Sequence, residues 1–142
     1  RAYQTQAVMY ENRIKSLGRD DGVVQKEGAS EHQTGLAVDV LNWEWRDKKM
    51  NKDFAKTKEG QWMAENCARF GFIIRYPEGK EDITGITYEP YHLRYVGKEA
   101  AVYMTENNLT LEEFTVEWKS ALSAYQEQSQ WNTDVETETF SF

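Results

Sequence analysis

Apolar and polar positions divide the 142-residue chain into helix-like and strand-like segments joined by polar turns. Ala7, Val8, Ile14 and Leu17 recur at helical spacing and Gly18 supplies a stop, so a first helix is predicted over 3–17. Residues 18–31 are polar and glycine-containing, a loop. Leu36-Ala37-Val38-Asp39-Val40-Leu41 is mostly apolar and β-branched between Gly35 and Asn42, and reads as a buried strand. Trp43 and Trp45 follow it, placed either to line a cleft or to cover the core, and the charged run 46–53 is a solvated connection. A second helix is predicted over 57–70, with Trp62, Met63, Cys67 and Phe70 available to the core and Gly71 as its stop. Phe72-Ile73-Ile74 is a short buried strand and residues 78–82 are a turn. In Tyr91-His92-Leu93-Arg94-Tyr95-Val96 a period of two puts His92 and Arg94 on one face, opposite Tyr91, Leu93 and Tyr95. Helix returns over 98–107 and from Thr110 to about Gln126, where Leu111, Phe114, Trp118, Leu122 and Tyr125 form a stripe suited to core packing.

These elements add up to an α+β fold, a small and mostly antiparallel sheet flanked by helices. One domain is expected over 1–128, followed by a polar, acidic tail over 129–142, and there is no internal repeat. The length suffices for a real core, and no apolar run approaches membrane-spanning length. A net charge of −7 argues against nucleic acid or an anionic membrane as the main partner. Cys67 is the single cysteine, so no intrachain disulfide forms, and its apolar neighbours mark it as a buried small hydrophobe.

The chemistry concentrates in two stretches. The chain has two histidines, His32 and His92, each close to a carboxylate: Asp39 seven residues after His32, and Glu89 three before His92. Two imidazoles and one carboxylate are the ligand set of a catalytic zinc site that keeps a position open for water, and Glu89 is free to act as general base. Asp39 inside an apolar strand needs a partner, since burying a lone carboxylate is costly. Spacing alone leaves other readings open: a histidine satisfied in the core, Asp39 held by backbone amides or by Arg94, and Glu89 as a surface carboxylate.

Ser30-x-His32-x-x-Gly35-x-Ala37-x-Asp39 resembles the S-x-H-x-x-G-x-A-x-D motif of VanY-type D-alanyl-D-alanine carboxypeptidases, zinc D,D-peptidases of peptidoglycan. The second motif of that family, E-P-W-H-x-R-Y-V-G, is matched from Glu89 to Gly97 with Tyr91 in place of the usual Trp, and Gly71 to Pro77 also looks like the family. The likeness covers roughly residues 1 to 115.

That resemblance implies zinc held by His32, Asp39 and His92, with Glu89 taking a proton from the attacking water. Arg1, in a segment similar to the family's R-S-Y-x-x-Q, would bind the substrate's terminal carboxylate or the developing oxyanion. Gln6 and Ser30 would contact the peptide. The implied substrate is a peptidoglycan stem peptide, the product free D-alanine, and the setting the wall-facing side of a bacterial membrane, with any anchor upstream of Arg1. A monomer is expected. The motifs leave open an L,D-carboxypeptidase acting on tetrapeptide stems, and a non-catalytic binding domain that keeps a hydrolase-like zinc site.

Overall fold

The computed structural model describes residues 1–138, with side chains described through residue 129. It divides into two compact units, residues 1–110 and residue 111 onward.

The first unit contains three short strands in the order β1 (Ala37–Asp39), β3 (His92–Tyr95), β2 (Phe72–Ile74), antiparallel throughout. Central β3 pairs Asp39 with His92, Val38 with Leu93 and Ala37 with Arg94. Paired residues point to the same side of a sheet, so this register sets the carboxylate of Asp39 beside the ring of His92. The opposite side of β3 supplies Leu93 to a core of Trp45, Phe54, Met63, Cys67 and Tyr91, against which Leu41, Phe72 and Ile74 pack. Trp45 meets Phe54 edge-on at 5.8 Å, so it covers the core, whereas Trp43 is exposed and stacks under Arg46.

Helix α2 (Lys58–Asn66) starts where the hydroxyl of Thr57 accepts the Gly60 N–H, and a 3₁₀ turn over Cys67–Phe70 carries the predicted helix to its end. Cys67 is buried and its thiol is pushed up by that burial, as expected of an inert core cysteine. A one-turn helix α3 (Glu81–Thr84) takes up part of the predicted turn. Helix α4 (Lys98–Glu106) buries Ala101 and Met104.

Two expectations from periodicity need correcting in this unit. Helix α1 (Tyr3–Leu17) buries Gln6, while Val8 and Leu17 are largely exposed. Polar links seat it instead, the Tyr10 hydroxyl donating to Asp20 at 2.7 Å and Arg13 forking onto Asp21 in the following loop. Strand β1 is not buried: Leu36, Val38 and Val40 are 41, 43 and 39 % exposed. It is an edge strand, and its apolar side is left uncovered.

The second unit is helix α5 (Leu111–Glu138). No glycine or proline interrupts 111–138, so the helix continues into the expected acidic tail, whose residues 139–142 lie outside the described residues. Of the stripe predicted for core packing, Leu111 and Phe114 are half-buried, while Trp118, Leu122 and Tyr125 are exposed.

Candidate metal centre and peptide cleft

His32 sits on a 3₁₀ turn, Glu31–Thr34, that closes at Gly35 with φ 78°. This left-handed conformation is open to glycine at little cost and turns the chain back into β1. His32 therefore arrives from the turn before the sheet, and Asp39 and His92 from paired strands. The His32 Nδ1 lies 3.3 Å from the carbonyl of Ala37, which leaves Nε2 directed at Asp39 Oδ2, also at 3.3 Å. In His92 the roles of the ring nitrogens are reversed. Its Nε2 is 2.7 Å from Glu31 Oε1, while Nδ1 faces Asp39 Oδ1 at 3.3 Å and Glu89 Oε2 at 3.2 Å. One donor atom from each of His32, Asp39 and His92 can be chosen so that all lie within 4.8 Å of one another.

Electrostatics favour a cation among these groups. Burial alone would lower the pKa of His92, but the Asp39, Glu31 and Glu89 carboxylates around it raise it to about 10. Burial would conversely raise Glu31, and hydrogen bonds from His92 and Arg94 hold it at about 2. Asp39 is likewise held well below the usual carboxylate range, against burial, by the two imidazoles. Even so, Asp39 Oδ1 is buried with no hydrogen-bond partner. A buried oxygen without a hydrogen bond, on a carboxylate that both imidazoles face, is one that a divalent cation would satisfy. The residues present thus fit a zinc ion.

Around this centre lies a cleft of about 220 Å³, and every site residue expected from the sequence lines it: Arg1, Gln6, Ser30, His32, Asp39, Glu89 and His92. The guanidinium of Arg1 stands 3.8 Å from Asp39 and donates to the Gln6 side-chain oxygen at 2.8 Å. Gln6 is 1 % exposed and donates in turn to the carbonyl of Gln25. Its amide is therefore engaged in holding Arg1 and the loop. Glu89 is brought in by the turn in which the His92 N–H bonds the Glu89 carbonyl at 3.1 Å.

Several residues in and around the cleft were not anticipated. Arg94 does not hold Asp39; it reaches Glu31, as does Arg75. Tyr76 packs edge-on against the His92 ring at 5.0 Å. Lys49 and Met50, in the run read as a solvated connection, line the cleft, and so do Val23, Val24 and Gln25 from the polar loop. The one available signal was adjacency, since Glu31 lies within the first motif and Arg94 within the second.

Residues 1–98 match the VanY family, described as D-alanyl-D-alanine carboxypeptidase. The chain belongs to this family. Among curated relatives, YodJ of Bacillus subtilis (strain 168), whose carboxypeptidase assignment is provisional, is 46 % identical over 116 residues, covering 80 % of this chain and 42 % of YodJ. Among solved structures, the LD-carboxypeptidase LdcB, described with the basis of its peptidoglycan recognition, superposes with a TM-score of 0.71 at 45 % identity, covering 81 % of this chain and 54 % of LdcB. A VanY D,D-pentapeptidase from a VanB-type vancomycin resistance cassette, a mutant in complex with Zn(II), superposes with a TM-score of 0.65 at 35 % identity, covering 81 % of this chain and 67 % of that one. The chain spans less than half the length of the curated relatives it matches. The α+β fold with a small antiparallel sheet is that of the VanY and LdcB peptidases.

Proposed function

We propose that this chain is a zinc-dependent carboxypeptidase that releases the terminal D-alanine of peptidoglycan stem peptides, outside the cytoplasm. The observation that carries the reading is that His32 Nε2 and His92 Nδ1 both face the Asp39 carboxylate, with Glu89 against His92 Nδ1 and Arg1 near Asp39. Zinc bound by these three side chains would supply a Lewis acid and lower the pKa of a bound water. Glu89, in contact with the His92 ring, takes the proton of the attacking water and passes it to the leaving amine. Arg1, braced by Gln6, offers its planar fork to the substrate carboxylate or the developing oxyanion. Ser30, buried at the cleft wall, is placed to bond the peptide. The catalytic unit is taken as residues 1–128.

The similarity to LdcB and to the pneumococcal L,D-carboxypeptidase DacB favours a second reading, with the same machinery acting on a tetrapeptide stem. D-Alanine release from a stem ending in D-Ala-D-Ala and from one ending in an L-residue followed by D-Ala, each with and without chelator, tests both. Chelator-sensitive release from the first substrate supports the D,D reading, and release from the second alone changes the name to L,D-carboxypeptidase. Release from neither by the zinc-loaded protein would overturn the enzymatic reading in favour of a binding domain.

A further inference from the structure

The residue at 31 occupies an unspecified position of the first motif, yet its carboxylate meets three charged or ionisable partners. One oxygen, Oε1, lies 2.7 Å from His92 Nε2. The other, Oε2, receives Arg94 and, at 3.3 Å, Arg75. His92 and Arg94 belong to β3 and Arg75 directly follows β2, so a carboxylate on the 3₁₀ turn is locked from two sides. We infer that Glu31 is a positioning residue, which keeps the proton of His92 on Nε2 and thereby presents Nδ1 to the metal. The inference rests on the metal reading proposed above.

The physical argument is one of choice between two nitrogens. A neutral imidazole carries one proton, and the nitrogen facing a strong acceptor keeps it, leaving the other as the ligand. His92 without Glu31 could turn or change tautomer, because Asp39 and Glu89 both face its Nδ1 and would accept a proton there. An anionic acceptor on Nε2 opposes that and makes the ring a better donor to the metal. The two arginines fix where the carboxylate points. His32 needs no such partner, since its Nδ1 lies against the backbone carbonyl of Ala37. The site thus uses a carbonyl for one histidine and a clamped carboxylate for the other, and opposite ring nitrogens are left as ligands.

This asymmetry supplies an internal control. In the full chain loaded with Co(II), each coordinated histidine gives one paramagnetically shifted, exchangeable N–H resonance, from His32 Nδ1–H and from His92 Nε2–H. Glu31→Ala is expected to abolish or broaden the His92 resonance through fast exchange while leaving that of His32, and to weaken zinc binding about 10–100-fold in chelator competition. Glu31→Gln keeps an acceptor oxygen and loses the charge, so the His92 resonance should persist with a smaller loss of affinity. If Glu31→Ala does not fold, the isosteric Gln variant decides the matter, and affinity equal to wild type overturns the inference. Both resonances unchanged, or both lost together in a folded variant, would likewise overturn it and leave Glu31 as a structural ion-pair partner. Failure of the wild-type protein to take up Co(II) or zinc would instead bring down the metal reading itself, and the inference with it.

Discussion

Glu89 shows how one carboxylate can be separated from its neighbours by experiment. It contacts the His92 ring as Asp39 does, but both imidazoles face Asp39, whereas Glu89 is in contact with that of His92. Glu89→Ala should therefore retain zinc at near-wild-type occupancy and lose about 10²–10⁴ of kcat, the usual worth of a general base. Turnover kept in that variant would remove Glu89 from the mechanism. His92→Ala should lose the metal, and full zinc occupancy by elemental analysis would refute the ligand assignment. The residues in these predictions were legible in the sequence because they fall in two short segments, and two histidines among 142 residues leave few combinations. The clamp on Glu31 was not legible. Its partners Arg75, His92 and Arg94 lie 44, 61 and 63 residues away, and a carboxylate beside a motif histidine looks the same whether it faces solvent or the fold.

Elements divide along similar lines. Periodicity located β2, β3, α1 and α4 closely, because local alternation and glycine stops follow from backbone geometry. It failed on which faces are covered: β1 exposes its apolar row as an edge strand, and α1 is seated by polar links to Asp20 and Asp21. A pattern of polar and apolar residues records what an element could bury, while the neighbour that covers it is set by topology. Gly71 illustrates a position where topology makes its own demand. It adopts φ 87° between the 3₁₀ turn and β2, and its carbonyl accepts the Val96 N–H at 2.9 Å. A Cβ there would lie 2.7 Å from the Tyr95 ring and 3.2 Å from the Gly97 backbone. Gly71→Ala should cost about 1–3 kcal/mol through backbone strain and this clash. The measurement is the shift in urea midpoint at unchanged m-value, and a midpoint within error of wild type would show that the turn relaxes freely.

For the whole molecule, the site couples stability to pH differently with and without metal. His92 is packed among Asp39, Glu31 and Glu89, with His32 beside it and Arg75 and Arg94 behind Glu31. In the metal-free protein its pKa of about 10 stands above its unfolded value of 6.5. A raised pKa means that folding binds the proton more tightly, so this contribution is complete below about 6.5 and fades as pH climbs toward 10. Glu31 shifts the other way, from 4.5 to about 2, and its contribution is complete above about 4.5 and fades as pH falls through 2. The metal-free protein should then be most stable between about pH 4.5 and 6.5, and should weaken toward pH 9. Zinc cancels the alkaline limb. Coordination requires neutral His92, so binding displaces a proton, and apparent affinity should rise about tenfold per pH unit while His92 is protonated in the metal-free state. The stabilisation zinc confers by binding the folded state should rise with it. Melting temperatures of chelated and zinc-replete protein, taken from pH 5 to 9, should therefore diverge as pH increases. Parallel curves would mean that no imidazolium is displaced, and that His92 is not a ligand.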